Sequence, residues 1–255
     1  MENKNVIGLV GGVGPYAGLD LVTNVFDETI AATDQEHLPV ILISLPEEIE
    51  DRTKFLRGDT KVNPAKAIVE ILRKLEAAGA TVAGIPCNTA HAPLIFDAVR
   101  EGLKRHGLSV NLLHMIDETA SFVKKQFPDI TNFGLLSTSG TAKSEVYQHA
   151  FKKHGLSIQL PPDDIHATKV HASIYDPKYG IKAFSNPVTS RAREQLLEAI
   201  TWFAGNGVNT VLLGCTEIPL AIPEKDFKST RLINPTRILA RALISHSYPA
   251  KLKKL

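Results

Sequence analysis

Short apolar runs rich in β-formers alternate along this 255-residue chain with longer segments of helical periodicity, and the alternation restarts near the middle. Val6–Val10, Pro39–Leu45, Thr81–Ile85 and Val110–Leu113 read as strands. Between them, Gly18 to Ala32 and about Ala90 to His106 read as helices. A third helix follows Asn63 as cap with Pro64 at its first position. It carries Ile68, Leu72 and Leu75 on one face and is closed by Gly79. Strands separated by helix-length connections form parallel βαβ units, in which both sheet faces are covered by helices.

The restart is local in sequence and register. Ile130-Thr131-Asn132-Phe133-Gly134-Leu135-Leu136-Ser137 resembles Asn5-Val6-Ile7-Gly8-Leu9-Val10-Gly11; pairing Gly8 with Gly134 gives an offset of 126 residues. Cys87 and Cys215, the only two cysteines, lie 128 residues apart. The agreement points to a duplicated α/β half. A break near His114–Ile116, before a helix Asp117–Lys125, then divides the chain. Tyr147–His154 and Arg193–Trp202 are the helices of the second half, and Val208–Leu213 its last long strand. Leu232–Ile233 and a helix Pro235–Ser245 are surplus to the second half and are expected to cross back to the first. The domains are thus expected at 1–115 plus 231–255 and at 116–230.

Composition removes several classes of function. With 29 Lys+Arg against 27 Asp+Glu the net charge is +2, which argues against nucleic-acid or membrane-surface binding built on bulk charge. The one basic cluster, Lys251 to Lys254, reads as a solvated, fraying tail. No stretch has the 18 apolar residues of a membrane span, and the polar Met1 to Asn5 lacks the form of a signal peptide. A cytoplasmic protein with free thiols is expected. The nine histidines are scattered without metal-ligand spacing, and no metal is expected. His91, four residues after Cys87, reads as a satisfied helix histidine.

Each cysteine follows a strand-like run and precedes a polar segment able to open a helix: Gly84-Ile85-Pro86-Cys87-Asn88-Thr89-Ala90 and Leu213-Gly214-Cys215-Thr216-Glu217-Ile218-Pro219. Ligands of open α/β sheets bind at the carboxyl ends of strands. A helix start lowers a thiol pKa, and a thiol titrating near neutrality serves as base when ionised and as acid when protonated. Two such groups on opposite faces of one carbon remove a proton from one side and return one to the other, inverting the stereocentre. Two buried structural cysteines are the plain alternative.

Gly11-Gly12-Val13-Gly14-Pro15, Asp34-Gln35-Glu36-His37-Leu38-Pro39, Asp51-Arg52-Thr53, Pro86-Cys87-Asn88-Thr89-Ala90-His91 and Gly214-Cys215-Thr216-Glu217 together resemble the aspartate/glutamate racemase family, nearest its aspartate racemase branch, over nearly the whole chain. The resemblance implies two pseudo-symmetric three-layer α/β/α domains with mostly parallel sheets, an interdomain active site and a homodimer. It also implies racemisation of a dicarboxylic amino acid without pyridoxal phosphate or any other cofactor. By the same resemblance Cys87 and Cys215 are the catalytic thiols, and Arg52 holds the substrate's side-chain carboxylate. Asn88, Thr89 and Ala90 grip the α-carboxylate, Thr216 mirrors Thr89, and Val13 stands where the family often has Met. A second cation is expected in Gly180-Ile181-Lys182-Ala183, which selects Lys182, with Lys178 as the competitor. A dianionic substrate needs such cations, and arginine offers a planar bidentate clamp. Without the motif, Arg52 reads as a solvated loop arginine beside Asp51.

Glutamate, or a broad range of amino acids, remains an alternative substrate, because one methylene is worth only about 1–3 kcal/mol. Gly12-Val13-Gly14-Pro15-Tyr16-Ala17 matches the loose dinucleotide fingerprint, which makes an NAD-binding protein a second alternative. The acidic residue that this fingerprint needs about 20 positions on is missing, since the next strand ends near Leu45-Pro46. A non-catalytic two-lobed ligand-binding module is a third. A decarboxylase of the same superfamily needs one thiol only, and the second cysteine argues for racemisation.

Overall fold

A computed structural model describes residues 5–255 and leaves Met1–Lys4 outside the described residues. The chain forms two units, one of residues up to Glu118 together with Thr236–Leu255, the other Thr119–Pro235. The boundaries thus fall inside the helix Met115–Gln126 and at the start of the helix Pro235–Ser247.

Among the described residues the first unit holds a four-stranded parallel sheet of β1 (Ile7–Gly11), β2 (Val40–Ser44), β3 (Val82–Gly84) and β4 (Asn111–Leu112), in the order β2-β1-β3-β4. β1 is buried along its length. Its Ile7 and Leu9 join the cluster of Leu21, Val25, Leu239 and Leu243 on one face, and Val10 joins Ile68, Leu72 and Leu75 on the other. Burial on both faces explains why β1 reads as a continuous apolar run rather than an alternation.

The helix Ala65–Ala77 buries Ile68, Ile71, Leu72 and Leu75 at helical spacing. Its start is one residue later than expected: Pro64 takes the cap position, while the Asn63 side chain accepts from the Ala65 N–H at 2.9 Å. Gly79, at φ 102°, ends it. The first helix runs Pro15–Asp27 rather than Gly18 to Ala32. Proline presets the first turn, and the backbone beyond Glu28 is drawn into an antiparallel bridge between Thr29 and Leu252.

In the second unit the described strands are β5 (Asn132–Ser137), β6 (Ser157–Gln159), β7 (Thr210–Gly214), β8 (Asp226–Phe227) and β9 (Thr230–Ile233), in the order β6-β5-β7-β9-β8. Pairing is parallel except between β8 and β9. Leaving out β8, the order repeats that of the first sheet. So does the register: Gly8 faces Ala83 across β1–β3, and Gly134 faces Val211 across β5–β7, offsets of 126 and 128 residues. Leu232–Ile233 pairs with β7, so the chain leaves the second unit after β9 rather than before it. The helix Ser190–Gly205 covers this sheet with Leu196, Ile200 and Phe203.

Lys251 to Lys254 is not the frayed tail expected from its charge. Ile30 N–H donates to the Lys251 carbonyl at 2.7 Å and Lys253 N–H to the Glu28 carbonyl at 2.9 Å. Lys253 Nζ reaches the Asp27 carbonyl at 2.6 Å. Beneath this strap, Glu28 takes hydrogen bonds from Arg237 Nε and Arg241 Nη1, and Arg241 Nη2 holds the Lys253 carbonyl at 3.0 Å. Burial alone would raise the Glu28 carboxyl, but the two guanidinium groups outweigh it and hold it below the usual carboxylate range. A carboxyl whose folded pKa is depressed contributes stability that is present above its unfolded pKa and is lost as pH falls through the depressed value. Glu28→Gln strands the buried Arg241, and is expected to cost about 3 kcal/mol, a fall of roughly 6–12 °C in the thermal midpoint at neutral pH. The deficit should shrink on acidification; a deficit equal at pH 7 and pH 3 would remove the ion pair as its source.

Among the described residues no helix is long and apolar enough to cross a membrane.

Candidate active site

The sequence-predicted residues gather in each unit at the carboxyl end of the corresponding strand. In the first unit Ile85-Pro86 carries the chain off β3 to Cys87, which is 6 % exposed and caps a 3-10 turn, Asn88–His91. The turn is followed by Pro93–Arg105, so the expected helix from Ala90 begins only after Ala92. The Cys87 carbonyl accepts from the Ala90 N–H at 3.1 Å and from His91 Nδ1 at 2.9 Å. A carbonyl partner fixes His91 as the tautomer with the proton on Nδ1. Burial, and then the neighbouring His114, push its pKa well below the usual histidine value, so the ring is neutral; it stacks on Phe96. His91 thus braces the backbone of Cys87. Asn88, Thr89 and Ala90 are buried beside the thiol. The Ala90 N–H closes the turn, and its use in gripping a carboxylate requires that turn to open.

Arg52 opens the helix Arg52–Arg57, which Asp51 caps by accepting from the Lys54 N–H at 2.8 Å, and which packs on the turn after Cys87. It is 7 % exposed, not a solvated loop arginine. Its Nη2 donates to the Val13 carbonyl and its Nη1 to the Glu50 carbonyl at 3.3 Å, so two backbone oxygens aim the guanidinium. Val13 lies in the same apolar cluster as Cys87 and Ile49.

In the second unit Cys215 directly follows β7 and is 5 % exposed. Its Sγ–H donates to Glu217 Oε2 at 2.9 Å, and Thr216 Oγ1 donates to the same oxygen at 3.3 Å. The other oxygen, Oε1, takes Lys182 Nζ at 2.9 Å. Lys178, the competing cation, is solvent-exposed.

The helix after Cys215 spans only Ile218–Ala221, too short for the dipole effect expected there. Burial, and then the Glu217 charge, raise the Cys215 thiol well above its ordinary pKa, against the opposing pull of Lys182. The expected lowering is therefore reversed, and Cys215 is held as the thiol. Burial, and then the neighbouring Cys215, raise the hydroxyl pKa of Tyr147.

In the sequence Glu217 stands out only within the motif Gly214-Cys215-Thr216-Glu217. The signal was present in the triplet Cys-Thr-Glu, since a carboxylate two residues from a buried thiol at a strand end needs a donor and a cation. Nothing signalled the π-helical turn His166–His171, which leads into the helix Ala172–Tyr175. There Tyr175 lies 5.3 Å beneath Lys182 Nζ and stacks on His171, whose Nδ1 bonds Ser139 Oγ at 2.9 Å. π-Turns concentrate at functional sites.

Comparison with known proteins adds an independent line. The family model described as Asp/Glu/Hydantoin racemase matches residues 10–243. An aspartate racemase of Picrophilus torridus superposes with a TM-score of 0.80 at 31 % identity, covering 98 % of this chain and 96 % of that one. A putative Asp/Glu racemase from Yersinia pestis gives 0.73 at 26 % identity, covering 95 % and 99 %. The broad specificity amino-acid racemase RacX of Bacillus subtilis is 27 % identical over 158 residues, which is 60 % of this chain and 63 % of that protein.

Proposed function

Because the chain belongs to the Asp/Glu/hydantoin racemase family, we propose that it racemises aspartate by a two-thiol acid–base mechanism without pyridoxal phosphate or any other cofactor. The observation that carries this reading is the repeated arrangement. In two sheets of the same strand order and register, a buried thiol stands at the end of the same strand with a cation in its own unit, Arg52 for Cys87 and Lys182 for Cys215.

Cys215 is the resting acid, since its proton is committed to Glu217. In the direction in which Cys215 is the acid, Cys87 is the base: it takes the α-proton from one face of the substrate carbon, and Cys215 delivers its own to the other. Turnover leaves the proton on Cys87 and none on Cys215; conversion of the opposite enantiomer, or exchange with solvent, returns a proton to Cys215 and removes one from Cys87. Arg52 and Lys182 hold the side-chain carboxylate, and Asn88 and Thr89 hold the α-carboxylate with Thr216 on the opposite side. Fixed cations lower the energy of the carbanion without the reorganisation that water would need. Dicarboxylate selection follows from the two cations. The aspartate racemase and the broad-specificity racemase among the similar proteins bracket the range of substrates to test.

Incubation with L-aspartate in deuterium oxide is expected to yield D-aspartate carrying α-deuterium, with glutamate and alanine turned over far more slowly. Absence of both D-aspartate and α-deuterium would remove the racemase reading; faster turnover of glutamate or alanine would retain the reaction and change the substrate.

A further inference from the structure

The Glu217 carboxylate serves two partners at once, Lys182 through Oε1 and the Cys215 thiol through Oε2. The two ends of the ion pair are not equally accessible: the Lys182 side chain is 25 % exposed and that of Glu217 only 6 %. The ammonium can be approached by an arriving anion, whereas the carboxylate cannot leave for water. The lysine is also fixed from behind. Its N–H donates to the Ile174 carbonyl at 3.1 Å, and the Ile181 N–H to the Ser173 carbonyl at 2.8 Å, which ties the segment to the helix that carries Tyr175. The ring of Tyr175 offers its negative face to the ammonium without competing as a full charge.

We infer that Glu217 is an internal stand-in for the substrate's second carboxylate: it holds Lys182 while the site is empty and yields the lysine to a dianionic amino acid on binding. The inference rests on the reading that Lys182 receives the substrate's side-chain carboxylate. Selection is then an exchange rather than a capture. A monocarboxylic amino acid has nothing to offer Lys182, which stays on Glu217. A dicarboxylic one draws the ammonium forward and leaves Glu217 Oε2 with less counter-charge facing the thiol, so occupancy of the distal subsite is felt at Cys215. The carboxylate that keeps the lysine from pairing indiscriminately also accepts the hydrogen bond of the thiol.

Succinate and propionate test this, since neither is racemised and they differ by one carboxylate. Calorimetric titration would compare the wild type, Glu217→Gln, Lys182→Gln and the double variant. Glu217→Gln is expected to bind succinate about tenfold more tightly than the wild type, the scale of one lost ion pair whose lysine is partly exposed, with propionate unchanged. The double variant should match Lys182→Gln. Succinate binding that is unchanged or weaker in Glu217→Gln overturns the exchange. Wild-type succinate affinity in Lys182→Gln overturns the underlying assignment of Lys182 instead. Infrared difference spectra of the wild type with 13C-labelled succinate need no substitution at Glu217. A shifted protein carboxylate band, absent with propionate and in Lys182→Gln, is expected, and an unshifted band also overturns the proposal.

Discussion

Cys87→Ser and Cys215→Ser are each expected to lower racemisation of aspartate by about 10³-fold, the scale of losing a general acid or base, while leaving the two variants different from one another. A serine hydroxyl at 215 keeps the hydrogen bond to Glu217 but does not give up its proton to a carbanion at a useful rate. Cys215→Ser should therefore still exchange the α-hydrogen of one aspartate enantiomer with solvent through Cys87, without inversion. Cys87→Ser should exchange the other enantiomer. Proton NMR of each enantiomer in deuterium oxide reads both outcomes. Loss of racemisation in only one variant would convert the pair into a single catalytic thiol, and full activity in both would leave the cysteines structural.

Gly12→Ala is the second large effect. Gly12 has φ 84°, where an L-residue is strained, and a β-carbon there would sit 2.8 Å from the Pro46 nitrogen and 2.9 Å from the backbone of Leu45. These are main-chain atoms of the segment that leaves β2, so no side chain can swing aside. Backbone strain and overpacking together are expected to cost about 3 kcal/mol or more. The damage also reaches function, because the next residue, Val13, supplies the carbonyl that aims Arg52. At a temperature where Gly12→Ala is still folded by circular dichroism, KM for aspartate should rise more than kcat falls. A stable Gly12→Ala with wild-type KM would show that the loop does not position Arg52.

The parts of this protein legible in its sequence are those governed by local rules. Strands β1 to β5 and β7 follow from apolar runs between turns, while the short, partly polar β6 and β8 carry no such run; the placement of Cys87 and Cys215 follows from the end of a run. The repeat offset was visible as Gly8 against Gly134 because backbone pairing preserves register over a whole strand. What escaped depends on partners far apart in the chain. Lys182 and Glu217 are 35 residues apart, and only folding shows that burial, together with this carboxylate, reverses the shift expected for Cys215. The strap at Lys251 to Lys254 is illegible for the same reason: a cluster of lysines describes solvation, and it does not reveal a backbone acceptor 226 residues earlier. Strand β9 joins the second unit and not, as its position suggests, the first, because a four-residue run carries no mark of the sheet it will join.

The discontinuity of the first unit bears on how the chain acquires its structure. Its inner face stays open until Leu239 and Leu243 arrive to cover Ile7 and Leu9, and those leucines follow the whole of the second unit. The stretch Thr119–Pro235 is continuous and carries its own apolar cluster, so it is able to form while the earlier half still waits. A vectorially growing polypeptide would thus finish its later portion first. The half bearing Cys87 and Arg52 would be the one exposed to proteases and chaperones for longest.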